Sequence, residues 1–114
     1  MARNLTQKKC IPCEGYESPM IEVEIKDYLK ELKNEWTVSD PPAGGKKISY
    51  TFKFKTFKEA IRFVNQVAKL AESEDHHPNI HILYNKVKIV CTTHKIAGLS
   101  ENDFILAAKI EKLV

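Results

Sequence analysis

Three of the four histidines are placed where they could act on one substrate. His76 and His77 are adjacent, and His94 follows after two short apolar segments. Imidazole accepts and donates protons near neutral pH, so such a cluster suits general acid–base catalysis. It suits zinc binding equally, since imidazole is a common zinc ligand. The fourth histidine, His81, falls within a predicted strand and is expected to be an ordinary surface residue.

A zinc site would use these three imidazoles and a bound water. Adjacent residues usually project in different directions, and the sequence has no helical His-x-x-x-His pair that would place two rings on one face. We therefore expect no metal. A zinc site remains an open alternative, and so do histidines that are merely exposed or that cap a helix.

The cysteines offer a second possible metal or redox site. Cys10 and Cys13 could form half of a zinc site or a redox pair, but only Cys91 remains to complete an all-cysteine site. We expect a structural or incidental pair of thiols. Three cysteines at low density also argue against a disulfide-bonded secreted fold and fit a reducing compartment.

A long helix must position the histidine pair. Apolar residues recur at helical spacing over residues 57–74, and nothing breaks the pattern before Pro78. The residue before a proline is pushed out of the helical region, so the helix is predicted to end near Asp75. His76 and His77 then lie in a turn just beyond the helix C-terminus.

A hairpin must bring the third histidine back to the pair. Residues 80–84 and 87–91 alternate between apolar and polar types, and a tight turn at residues 85–86 is predicted to join them. The far end of the second strand returns to the side where the first began. Thr93 and His94 are therefore expected to approach the histidine pair.

The rest of the chain completes one α+β domain. Residues 1–20 show no period and are predicted to form an irregular arm. A first helix is predicted from apolar residues at helical spacing, which are Ile21, Ile25, Tyr28, Leu29 and Leu32. A short strand around Trp36 and a longer one over residues 47–55 follow. Ser100 is predicted to start a third helix, with a buried face made of Leu106, Ala107, Ile110, Leu113 and Val114. The predicted domain at 21–114 has the order helix, strand, strand, helix, strand, strand, helix.

Composition narrows the functional class. A chain of 114 residues that is 43% hydrophobic can bury one core. The net charge of +3 is spread without a long basic run, so we expect no dedicated nucleic-acid binding. No apolar run approaches the ~20 residues of a membrane span, and the first residues lack the apolar middle of a secretory signal. We expect a soluble, cytoplasmic protein without membrane association.

Two segments together resemble a known family. Residues 72–78 (ESEDHHP) and 93–103 (THKIAGLSEND), with Tyr84 and Val87 between them, resemble the signature of the pterin-4a-carbinolamine dehydratases. The likeness covers nearly the whole chain. It also includes the arm segment 10–15 (CIPCEG), Trp36, Phe52, Phe54, Phe57, Ala60, Phe63, Val67 and Ala68.

This resemblance implies a fold, a reaction and an assembly. Three helices would pack on one face of a four-stranded antiparallel sheet, and sheets would join between subunits of a homodimer, or of a homotetramer. The implied reaction removes the 4a-hydroxyl and the N5 proton of a 4a-hydroxytetrahydropterin. The product is quinonoid dihydropterin, for tetrahydrobiopterin recycling after aromatic amino acid hydroxylation. The pterin is the substrate, and no metal or cofactor is required.

Three catalytic roles follow from the resemblance and from the chemistry. Eliminating water from a carbinolamine needs one group to protonate the leaving oxygen and another to remove the nitrogen proton. We expect His76 and His94 to flank the hydroxyl, with His76 as the acid. We expect His77 to orient the pterin ring and to share proton transfer.

The expected substrate-binding residues surround these histidines. Glu72 resembles the ring-binding carboxylate of the family, although a glutamate on the helix surface is the alternative. Asp75, with the negative helix C-terminus, would favour a protonated imidazole. Asp103 resembles an acidic residue near the site and equally suits a helix cap. Pro78 and Thr93 complete the set.

Three positions depart from the family pattern, and other functions remain open. Many relatives carry Glu and an aromatic residue in place of Asn79 and Ile80, and some carry Arg in place of Asn102, which puts rim contacts and substrate preference in doubt. Relatives also act as dimerisation cofactors of a homeodomain transcription factor, so a binding module is the alternative from another class. A dehydratase-like role in molybdopterin metabolism and a purely structural protein remain further alternatives.

Overall fold

The computed structural model describes residues 3–12, 15–42 and 44–114. The predicted α+β class and element order are confirmed in this part of the chain, and no helix there is long and apolar enough to cross a membrane. The elements are α1 (Glu22–Leu29), β1 (Thr37–Ser39), β2 (Lys47–Lys53), α2 (Phe57–Glu74), β3 (Asn79–Leu83), β4 (Lys86–Cys91) and α3 (Glu101–Glu111).

The four strands form an antiparallel sheet in the order β1-β2-β4-β3. Ile48 pairs with Cys91 and Phe52 pairs with Val87, and all four side chains are buried. Residues between them, such as Lys88, point to the other, exposed face. Because side chains alternate across a strand, the helices cover one face, and the second face is polar apart from Leu83 and Val90.

Helix α2 has clear sequence determinants at both ends. The Thr56 hydroxyl accepts a hydrogen bond from the Glu59 N–H at 3.1 Å, which caps the N-terminus. At the other end Asp75 adopts a left-handed conformation with φ 52°, and the His76 N–H bonds back to the Ala71 carbonyl at 3.3 Å. The predicted end of this helix is confirmed. Phe57, which we predicted on the buried face, is 51% exposed because it lies in the first turn, at the margin of the core.

The hairpin turn lies one residue earlier than predicted. Tyr84 and Asn85 form it, and Tyr84 takes a left-handed φ of 55°. Asn85 exchanges hydrogen bonds with Phe54: its side-chain amide donates to the Phe54 carbonyl at 2.7 Å, and the Phe54 N–H donates to the Asn85 carbonyl at 2.9 Å. These bonds hold Asn85 beside the end of β2, so Lys86 already belongs to β4.

The two other helices differ from the predicted pattern near their ends. Helix α1 ends at Leu29, earlier than the apolar spacing suggested, and Leu32 is buried from the turn that follows. Within α3, Leu106, Ala107 and Ile110 are buried as predicted, while Val114 lies beyond the helix and is 62% exposed. A chain terminus has few neighbours to cover it, which explains the error at Val114.

The described residues of the N-terminal arm, 3–12 and 15–20, contain a 3-10 turn at Leu5–Gln7 and no helix or strand besides it. The arm contributes Leu5 and Cys10 to the hydrophobic core. The arm covers a side of α3 that the sheet and α2 leave open, so α3 is buried on nearly all sides. Cys13 lies outside the described residues.

Candidate active site

His76 follows the end of α2 and lies beside a buried carboxylate. The left-handed turn at Asp75 redirects the chain, and the His76 side chain is only 13% exposed. Its Nε2 atom lies 2.7 Å from Oδ1 of Asp103. One ring nitrogen is therefore committed to a hydrogen bond with the carboxylate, which leaves Nδ1 as the nitrogen for other partners.

Asp103 is held rigidly in the first turn of α3. It is fully buried, and its Oδ2 atom accepts the Ser100 N–H at 3.0 Å and the Thr93 hydroxyl at 2.8 Å. Since Thr93 donates its single hydroxyl proton to Asp103, the Ser100 hydroxyl donates to Thr93 Oγ1 at 2.8 Å. The structure thus shows Asp103 as a helix cap, which was one of the two expectations for it, and also as the partner of His76, a contact that the sequence did not predict.

His77 faces solvent and contacts a different carboxylate. Its Nε2 atom lies 2.5 Å from Oε2 of Glu72, which is one helical turn earlier in α2. The His77 and Glu72 side chains are 55% and 77% exposed. Solvent screens this pair, so its contribution to stability is small.

His94 is placed by the loop that follows β4. Thr93 forms an isolated antiparallel bridge with Gly98, and its N–H donates to the Gly98 carbonyl at 2.9 Å. His94 begins the short 3-10 turn His94–Ile96 inside this loop. It is exposed, and its ring has no hydrogen-bond partner among the residues that the structure describes.

One cavity of about 370 Å³ brings the three histidines together. This confirms the predicted convergence of His94 with the pair at the end of α2. The other lining residues are Ile11, Pro12, Asp75, Thr92, Thr93, Lys95 and Asn102. Glu72 and Pro78 are absent from this lining, and Asp103 lies behind His76. Among the described residues, no group of three or more His, Cys, Asp and Glu side chains has an arrangement suited to a metal ion.

The similarity of this sequence to known proteins decides which family the chain belongs to. The family model described as pterin 4 alpha carbinolamine dehydratase matches residues 18–113. The chain belongs to this family. Among curated relatives of this dehydratase family, a provisionally named pterin-4-alpha-carbinolamine dehydratase from Alkaliphilus metalliredigens is 47% identical over 109 residues, which is 96% of this chain and 95% of the relative. A relative with the same provisional name from Rickettsia canadensis is 48% identical over 110 residues, which is 96% of this chain and 97% of the relative.

Solved structures of similar proteins share the dehydratase fold. A transcriptional coactivator/pterin dehydratase from Brucella melitensis has a TM-score of 0.73 at 32% identity, covering 84% of this chain and 98% of its own. A pterin dehydratase-like RuBisCO assembly factor of the alpha-carboxysome has a TM-score of 0.60 at 22% identity. The match covers 71% of this chain and 90% of the assembly factor. The second likeness concerns the fold alone.

The two cysteines that the structure describes, Cys10 and Cys91, both have raised pKa values. Burial, with the neighbouring Glu74 carboxylate, raises the pKa of Cys10 to about 12. Burial also raises the pKa of Cys91 well above its usual range. A thiol needs to ionise before it acts as a nucleophile or metal ligand, so neither of these two cysteines is prepared for such chemistry near neutral pH.

Sequence reasoning missed the contribution of the arm to the cavity. Ile11 and Pro12 line it, although their spacing carries no catalytic pattern. Asn102 also lines it, and the sequence marked this residue only as a departure from the family pattern. The one available signal was the segment 10–15, because its resemblance to the family suggested that the arm has a role.

Proposed function

We propose that this protein dehydrates a 4a-hydroxytetrahydropterin to quinonoid dihydropterin, using histidines as acid and base without a metal or cofactor. The contact between His76 and Asp103 at the edge of the shared cavity is the main support. The buried carboxylate fixes the orientation of the ring, because Nε2 is committed to it and Nδ1 is left for the substrate. An imidazole held in this way suits the protonation of a leaving group.

The reaction balances with two proton transfers and no change in oxidation state. An imidazolium gives its proton to the 4a-hydroxyl, the C4a–O bond breaks, and water leaves. The N5 lone pair forms the new N5–C4a double bond as the C4a–O bond breaks, and the N5 proton then passes to a neutral imidazole while the N5–H electron pair stays on nitrogen as its lone pair. At the end of the reaction the acid histidine is neutral and the base histidine is protonated. A proton must therefore return from the base to the acid, directly or through water, before the next turnover.

Each histidine has a role that its environment supports. His76 is the proposed acid, because Asp103 compensates the positive charge that the acid carries. His94 lines the same cavity, and its ring forms no hydrogen bond with the residues that the structure describes, so it flanks the hydroxyl. His77 orients the pterin ring and shares removal of the N5 proton, with Glu72 holding its Nε2 atom.

The deciding experiment measures the rate at which purified protein accelerates dehydration of synthetic 4a-hydroxytetrahydropterin. We expect acceleration that persists with a chelator and is lost in a His76→Ala, His77→Ala, His94→Ala triple variant. A His81→Ala variant is the matched control, since His81 is exposed on β3 and does not line the cavity. Loss of activity with chelator would overturn the metal-free mechanism, and no acceleration by the wild type would overturn the dehydratase proposal.

The proposed setting is tetrahydrobiopterin recycling in the cytoplasm by a homodimer or homotetramer. The edge of the sheet supports the dimer, because β3 pairs on one side only and Ile82 and Leu83 are 43% and 74% exposed. An uncovered strand edge with apolar residues is a ready surface for pairing with a second copy. Light scattering after gel filtration measures the subunit number, and a monomer at micromolar concentration would contradict this assembly.

A non-catalytic binding module is the second candidate. It is supported by the similar protein from Brucella melitensis, which is described as a transcriptional coactivator/pterin dehydratase. The dehydration assay separates the two functions. Wild-type protein that forms a stable complex with a transcription factor, while failing to accelerate dehydration, would favour the binding module.

A further inference from the structure

Two residues of the N-terminal arm line the histidine cavity from outside the α+β core. Ile11 and Pro12 share this cavity with the three histidines. The Ile11 side chain is apolar and 70% exposed. Small-molecule pockets combine apolar lining side chains with a few convergent polar groups, and Ile11 together with the three histidines gives this cavity that combination.

A buried side chain holds this part of the arm in place. Asn102 is 6% exposed, and its Oδ1 atom accepts the Ile11 N–H at 3.1 Å. Its Nδ2 atom donates to the Ile11 carbonyl at 2.7 Å. Both functional groups of the amide therefore bind the main chain of a single residue, which fixes the position and the orientation of Ile11.

The preceding residue ties the arm to both helices of the site. The Cys10 N–H donates to Oε1 of Glu74 at 2.8 Å, and its thiol contacts the Asn102 carbonyl at 3.5 Å. Glu74 is the last residue of α2, and its Oε2 atom binds Lys109 of α3 at 2.5 Å. The arm is thus anchored to the same helix end that carries the histidine pair.

Packing alone does not position this segment. Ile11, Pro12 and Asn102 also line a second cavity of about 250 Å³. The segment therefore separates two cavities and is not backed by a continuous core. Its position depends on the hydrogen bonds of Asn102 and Cys10.

We propose that Ile11 and Pro12 form an apolar, substrate-contacting wall of the histidine cavity, and that Asn102 is the positioning residue that holds this wall. The inference rests on the proposed function, since it takes a pterin as the ligand. A flat heteroaromatic ring presents an apolar face as well as a polar edge. The wall contacts that face while the histidines meet the polar atoms, so the arm contributes to substrate affinity and to discrimination between pterins.

The test compares binding and turnover in three single variants. The dissociation constant of dihydrobiopterin is measured by titration calorimetry, and KM and kcat are measured for the carbinolamine. We expect Ile11→Ala and Asn102→Ala to weaken binding and raise KM by about fivefold to tenfold, because apolar contact with the ring is lost. The kcat value should change by less than about twofold. Tyr16→Ala is the control, since Tyr16 is an exposed arm residue that does not line the cavity.

A chemical readout separates positioning from general destabilisation. The Cys10 thiol is buried against Asn102, so it reacts slowly with a thiol reagent in the wild type. Asn102→Ala should speed modification of Cys10, identified by mass spectrometry, while Cys91 in the core keeps its slow rate. Ile11→Ala should leave the modification rates of both cysteines unchanged, because the Asn102 side chain still binds the main chain of residue 11.

The outcomes distinguish the wall from the dehydratase proposal. If the wild type binds dihydrobiopterin and Ile11→Ala binds it equally well, the proposed wall is overturned, whatever the catalytic activity. Wild-type protein that binds dihydrobiopterin without accelerating dehydration refutes the proposed reaction, and the variant affinities still decide the wall. Equal Cys10 reactivity in Asn102→Ala and wild type overturns the positioning role, and wild-type protein that does not bind dihydrobiopterin overturns the wall itself.

Discussion

The Asp103 carboxylate lies 2.7 Å from Nε2 of His76, although the two residues are 27 positions apart along the chain. His76 follows the last turn of α2, and Asp103 lies in the first turn of α3. The contact therefore joins two helix ends at the cavity. Because Ser100 and Thr93 also bind Asp103, the orientation of the imidazole follows from the start of α3 and from the loop after β4.

Removing the charge of Asp103 should impair turnover more than binding. Asp103→Asn keeps the size of the side chain but no longer compensates an imidazolium at His76. We expect kcat to fall by about tenfold to a hundredfold, with KM little changed. Steady-state kinetics measure this effect, with Asp40→Asn in the exposed loop after β1 as the control. An unchanged kcat in a folded Asp103→Asn protein would exclude this role.

Glu72 should act through His77. The two exposed side chains are in contact at 2.5 Å, and Glu72 does not line the cavity. We expect Glu72→Gln to lower kcat/KM by about twofold to fivefold, and to have no further effect in a His77→Ala background. The double-mutant cycle is measured in the dehydration assay. Additive effects would instead indicate direct contact between Glu72 and the pterin ring.

Gly98 should be required by the close approach of the arm. A Cβ atom at this position would lie 2.6 Å from Cβ and 3.3 Å from Cγ of Pro19. We expect Gly98→Ala to reduce the free energy of unfolding by about 1–3 kcal/mol, measured by urea denaturation. Pro19→Gly removes both opposing atoms, so the double variant should be more stable than the sum of the single effects predicts. Strict additivity would show that this contact is not the cause.

The Glu74–Lys109 pair should contribute to stability in a pH-dependent way. Burial alone would raise the pKa of Glu74, but Lys109 and the Cys10 N–H outweigh it and hold the pKa below its ordinary value of 4.5. A carboxyl whose pKa is lower in the folded state stabilises fully above the unfolded-state pKa, and that contribution is lost as pH falls through the folded-state value.

Lys109→Met should therefore lower the free energy of unfolding at neutral pH by about 1–3 kcal/mol. The variant should also lose less additional stability than the wild type as the pH is lowered below 4.5, because Glu74 no longer has its depressed pKa. Urea denaturation across this range measures both effects. Lys69→Met, at an exposed position of α2, is the control. Parallel pH curves for Lys109→Met and wild type would contradict the assignment.

Local features of the sequence were sufficient to predict the elements around the site. Pro78 forbids helical geometry at the residue before it, so the end of α2 near Asp75 was predictable. The alternation in β2 was equally clear, since each residue type reports which face of a strand it occupies. The hairpin turn was misplaced by one residue because Asn85 binds Phe54, on a strand more distant in sequence.

The sequence alone determined that three histidines converge and that the chain resembles the pterin-4a-carbinolamine dehydratases, because these properties depend on residue types and on short-range order. Only the tertiary structure decided which groups hold the histidines and what else lines their cavity. The hydrogen bond between Ile11 and Asn102 joins residues 91 positions apart, and no local preference encodes it. Such contacts form only when the arm and α3 pack together, since packing brings distant polar groups close enough to satisfy each other.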